Sequence, residues 1–164
     1  ERLLDSSLRT RAVAIISSHH QNGTVVSLSD EAQEEGLYIG MKISLLQKMS
    51  HSALLLPYNF TLYSHMHRYI YRIISAYCPI IEPVSYGQYY ADMTGTEPMY
   101  QNMIQAGYLM SQNLQSKVNL SSNIGISINK LVSCISTAVV PKRIHRIDPG
   151  TEQNFLAQYF HQDS

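Results

Sequence analysis

Residues 80–95, IIEPVSYGQYYADMTG, read as a β-hairpin of the kind that carries an enzyme's reactive groups. Glu82 and Asp92 are the two acidic residues of this stretch. Between them the tip carries Tyr86, Gly87 and Gln88, where a metal-dependent reaction would call for acids. Ser85 has no base beside it in sequence and no Gly-x-Ser-x-Gly elbow around it, so its expected role is a hydrogen bond within the hairpin. Lys142, Arg143, His145 and Arg146 form a basic cluster that can touch a phosphate backbone or simply be a solvated surface run. His19-His20 lies in an expected turn without further ligands nearby, which favours a solvated loop over a metal site. His65 and His67 are two apart on a helical pattern and point to different faces, so they do not share one metal. No phosphate-binding loop or dinucleotide fingerprint is present; GTVVSLSD lacks the glycines and the lysine.

The elements that must position these groups follow from periodicity and turn chemistry. RAVAIISS (11–18) and TVVSLS (24–29) are β-rich runs around the turn-forming HHQNG, which predicts a hairpin. DEAQEEG reads as a short helix with Asp30 as its cap and Gly36 at its end, and a second short helix follows from about Gly40. ALLLP (53–57) is a short strand. The spacing of Phe60, Tyr63, His67, Ile70 and Ile74 predicts a long amphipathic helix over 59–78. The two strands of the hairpin come next. Met103, Ala106, Met110 and Leu114 then form one stripe of a helix over 98–118. A strand at 123–128, a helix at 129–139, a last strand in RIHRI and a closing helix in EQNFLAQYF complete the chain. From residue 59 the order is helix, strand, strand, helix, strand. That order suits an α+β fold with helices on one face of a sheet, close to a ferredoxin-like plan.

Composition bounds the function classes. The 164 residues and 45% apolar content suit one domain with a real core, or one with a small appendage. No apolar run approaches the roughly 18 residues of a membrane span, and the polar start is no secretory signal. These features point to a cytoplasmic chain with no membrane partner. The absent initiator Met suggests a fragment or a processed chain. Twelve basic and twelve acidic residues cancel, whereas a domain that binds nucleic acid by itself is distinctly basic. Any DNA contact is therefore local or shared with another module. Cys78 and Cys134 lie far apart and outside any CxxC pattern, which reads as two buried thiols in a reducing compartment. The tyrosines clustered in 58–108 are read as half-buried side chains rather than a base-stacking platform.

Taken in order, several short patterns resemble the Y-family (DinB/UmuC type) translesion DNA polymerases. ERLLDSSLRTRAVAI is similar to the family's join between its first helix and the next strand. SDEAQEEGLYIGM resembles the fingers pattern Tyr-Glu-Ala-Arg-Lys-x-Gly-Val-x-x-Gly-Met. The segment from LLLPYNF to YYADMTG resembles the run into the catalytic hairpin, Glu-x-x-Ser-Ile-Asp-Glu-x-Tyr-x-Asp. SSNIGISINKLVSCIST is similar to the Gly-Ile-x-x-Asn-Lys strand and helix, and IDPGTEQNFL to the join with the thumb. The resemblance spans nearly the whole chain and is colinear. It implies a fingers-like subdomain at 1–57, a ferredoxin-like palm at 58–147 and the start of a thumb at 148–164.

The resemblance also implies what has changed. The family's adjacent Asp-Glu metal pair falls on Gly87 and Gln88, and Asp92 matches the later, structural Asp. The fingers Tyr and Arg that hold the triphosphate fall on Asp30 and Gln33, and acids there repel a triphosphate. The family's phosphate-holding Lys falls on Pro141, one residue before Lys142. Fold-defining positions such as Gly36, Gly40, Pro83, Ser85, Tyr90, Gly125, Asn129 and Lys130 stay. The expectation is a non-catalytic polymerase-like domain of the ImuB type, with no cofactor, which meets other repair or replication proteins. It would touch DNA through Lys142, Arg143 and Arg146. The alternatives are an active nucleotidyltransferase using Mg²⁺ on relocated ligands Glu82 and Asp92, or a truncated remnant. The family's first palm strand lies upstream of Glu1; without it two strands flank a gap, which another chain, including a second copy, or a rearranged segment would fill.

Overall fold

In the computed structural model, residues 5–160 are described, the side chain of Phe160 excepted. The chain divides into two compact units, one up to Leu62 and one from Tyr63 onward.

In the first unit, β1 (Val13–Ile16) is apolar throughout and buried on both faces. It is therefore the central strand, antiparallel to β2 (Val25–Leu28) and parallel to β3 (Leu54–Pro57). Strand alternation sends Ala14 to one core with Val25, Leu37, Met41 and Leu46. It sends Val13 and Ile15 to another with Leu8, against Leu54 and Leu56. The short helix α1 (Asp30–Glu34) follows β2, but Ser29 rather than Asp30 caps it. The Ser29 hydroxyl accepts from the Ala32 amide at 3.3 Å and from the Val13 amide at 3.0 Å, which ties the cap to β1 as Asp30 in the first turn could not. Gly36 and Gly40 both sit at positive φ, and α2 (Ile43–Met49) begins three residues after Gly40.

The second unit is built on α3 (Phe60–Ile74) and α4 (Met103–Val118). The first of these is shorter than the expected 59–78 helix, and its apolar face is shifted. Phe60 is exposed, while Ile70, Ile73 and Ile74 are buried against Met110, Leu114 and Val118 of α4. The second starts at Met103, not at Pro98, because the Asn102 side chain caps it by accepting from the Gln105 amide at 2.9 Å. Residues Glu97–Met99 form a separate 3₁₀ turn. Hairpin strands β4 (Ile80–Ser85) and β5 (Gln88–Asp92) are antiparallel. Strands β6 (Ile124–Ile126) and β7 (Ile144–Arg146) are parallel, joined by the crossover helix α5 (Lys130–Val139). The closing helix α6 (Glu152–Phe160) puts Phe155 into a small core with Val132 and Ile147. The fold is α+β as expected. The strands of the second unit nevertheless form two separate two-stranded ladders, not one sheet: β5 and β6 are not hydrogen-bonded to each other. Both ladders pack against the core shared by α3 and α4, through Ile81, Tyr89 and Ala91 from one and Ile124 from the other.

Candidate functional site at the hairpin

Strand alternation sorts the hairpin into two faces. Ile81, Tyr89 and Ala91 pack into the helical core. Glu82 pairs across with Tyr90, and Ile80 with Asp92, so these four share the opposite face with Gln88. A bulge between Pro83 and Ser85 precedes the turn at Tyr86-Gly87, and Gly87 has φ of 81°. Within 4 Å of a Cβ built on Gly87 there is no atom, so backbone conformation rather than space favours glycine there.

Two residues of α5 reach this face. Lys130 forms an ion pair with Glu82, and its ammonium lies 5.4 Å from the centre of the Tyr90 ring. Gln88 donates from Nε2 to the Cys134 sulfur at 3.6 Å, while its Oε1 accepts from the Ser85 hydroxyl at 3.3 Å. Asp92 accepts from the Thr94 amide at 2.9 Å and from the Thr94 hydroxyl at 2.6 Å. These bonds hold the Asp92 carboxyl below its ordinary range, and the charge on Lys130 adds to the effect. The Tyr90 phenol is pushed up, first by its hydrogen bond with Cys134, then by burial and the charges of Cys134 and Glu82.

The tip is anchored on its other side to α3. Tyr89 stacks on His67 at 4.8 Å, with its Oη 2.6 Å from Nδ1 and donating to the His67 carbonyl at 2.9 Å. Burial pushes the Tyr89 phenol up to about 12. Tyr86 meets the His67 ring edge-on at 5.4 Å, and its hydroxyl lies 3.1 Å from that of Ser64.

The other sequence-derived candidates stand as follows. Asp30 and Gln33 are exposed on α1, in the first unit. Lys142 and Arg143 are exposed in the segment before β7. Arg146 is ion-paired to Asp148 at 3.1 Å, and half-buried His145 lies against Phe155, so the basic run is only partly free for a phosphate. His20 uses Nδ1 to accept from the Asn22 amide. Among the described residues no three His, Cys, Asp or Glu side chains converge as a metal site, and both cysteines are free. Sequence reasoning missed that Lys130 and Cys134 face the hairpin together. Their spacing of four on α5 was the available signal.

The chain matches the model of the impB/mucB/samB family over residues 1–138. It is 31% identical to DNA polymerase IV 1 of Bacillus subtilis, over 81% of this chain and 32% of that protein. With DNA polymerase IV of Dehalococcoides mccartyi it shares 24% identity over 96% of this chain and 40% of the relative. It thus spans less than half the length of these relatives. Its fold is similar to Dbh DNA polymerase in an insertion ternary complex, with a TM-score of 0.86 at 21% identity, covering 96% of this chain and 47% of that one. It is equally similar to DinB from Sulfolobus solfataricus, with a TM-score of 0.86, covering 94% of this chain and 46% of that one. The colinear motifs, the hairpin with its crossover helix, and a family match over most of the length agree: the chain belongs to the impB/mucB/samB family, and its fold is similar to that of Y-family DNA polymerases.

Proposed function

We propose that this chain is a polymerase-like domain of DNA repair or translesion synthesis that has lost nucleotidyl transfer and serves as a contact surface for repair or replication proteins. One observation carries the reading: every polar group on the hairpin face is already engaged within the protein. Gly87 offers no ligand, and Gln88 offers one neutral carbonyl that already accepts from Ser85. Glu82 is paired with Lys130, whose positive charge also acts on Asp92. The Lys130 ammonium paired with Glu82, with its charge also felt at Asp92, repels a divalent cation and so speaks against Glu82 and Asp92 as relocated ligands. The donor set does not fit Mg²⁺, which takes near-octahedral oxygen coordination with carboxylates. Within the first unit, exposed Asp30 and Gln33 stand where the family pattern has the Tyr and Arg that hold a triphosphate, and the Asp30 charge has the wrong sign for one. DNA contact is weak and local, through Lys142 and Arg143, with Arg146 shared with Asp148.

Primer extension by the full-length protein with Mg²⁺ or Mn²⁺ tests the proposal. No incorporation above background is expected, and clear template-dependent incorporation overturns it. Calorimetric titration of this chain with Mg²⁺ and a deoxynucleoside triphosphate should show no saturable heat.

A further inference from the structure

The outer face of α3 carries a second cationic patch that the residue order hides. His65, Arg68, Tyr69 and Arg72 are exposed and line one shallow groove with half-buried Met66. Their spacings of three and four make them mutual neighbours, and Arg68 and Arg72 lie one turn apart, about 6 Å along the axis. No acid lies anywhere on α3. Among the described residues neither guanidinium has an ion pair, in contrast to Arg146 and Lys130. Two like charges one turn apart weaken a helix unless an anion bridges them. We propose that this face docks a short acidic segment of a partner protein, with carboxylates on Arg68 and Arg72 and an apolar side chain over Met66 and Tyr69.

The composition favours protein over nucleic acid. Arg, Tyr and Met are the types enriched at protein interfaces, and planar guanidinium pairs bidentately with carboxylate. The groove contains no lysine, and two arginines make a footprint suited to a short segment rather than the extended basic stripe of a domain that binds nucleic acid. The proposal is independent of whether the hairpin carries chemistry.

The test is fluorescence anisotropy of a labelled dodecapeptide made only of Glu, Asp and Leu, with the full chain as titrant. Saturable binding is expected that weakens with salt and falls about tenfold or more in R68E/R72E. Charge-neutral R68Q/R72Q should fall less, and K117E, a charge reversal on α4, should bind as the parent does. Circular dichroism confirms that each variant is folded. Three outcomes overturn the proposal: binding no tighter than to a Gln, Asn and Leu peptide, binding unchanged in R68E/R72E, or an oligothymidine strand binding more tightly through the same arginines.

Discussion

Gly87 combines a backbone requirement with a chemical one. Its φ of 81° lies in the left-handed region, yet the space around it is open. Gly87→Ala should therefore cost about 1 kcal/mol through conformation alone, and Gly87→Asn less, because Asn tolerates that region. Urea midpoints of the two variants check the order. Tyr89 gives a second residue-scale outcome. Its phenol is raised from 10.0 to about 12 by burial. The folded state thus keeps a proton that the unfolded chain releases, so stability present below pH 10 is lost as pH rises toward 12. Tyr89→Phe should flatten that alkaline decline and remove one late-titrating phenol from the ultraviolet titration.

At the scale of elements, the site depends on how closely α5 lies against β6. A Cβ on Gly125 would sit 2.1 Å from the Ser136 hydroxyl and 2.2 Å from the Ser133 carbonyl. The buried Ser136 hydroxyl donates to that same carbonyl, so neither atom is free to yield. Gly125→Ala should destabilise the protein by about 2–3 kcal/mol by forcing the helix off the strand. The start of α5 is fixed by Asn129, whose Oδ1 accepts from the Leu131 amide at 2.8 Å and the Val132 amide at 3.3 Å. That cap sets the rotation that brings Lys130 and Cys134 to the hairpin. Asn129→Ala should cost about 1 kcal/mol, with Asn129→Asp close to the parent, as read by thermal unfolding.

For the whole molecule, the open strand edges matter most. β5 bonds only to β4 and β6 only to β7, so each presents an edge without a ladder partner among the described residues. Such edges attract another strand. Light scattering of this chain over a concentration series should therefore show dimers or larger species, with hydrogen exchange slowed at the outward amides of β5 and β6. A monomer at every concentration, with those amides exchanging freely, would contradict this.

The element series was legible in the sequence because it rests on local physics: the apolar run of β1, the stripe of α4 and the Asn-Lys start of α5 each declare themselves within a few residues. The glycine at the hairpin tip was legible too, since the turn at Gly87 needs the positive φ that glycine adopts freely. Helix limits at Met103 and Ile74 were not, because caps and packing at the ends outweigh periodicity. The pairing of Lys130 with Glu82, the contact of Gln88 with Cys134 and the cationic face around Arg68 and Arg72 were decided by tertiary structure. The two hairpin contacts join residues 46 and 48 positions apart, which strand alternation and helix rotation bring together; for Arg68 and Arg72 the spacing is local, and the tertiary structure decided only that their side of α3 is left exposed.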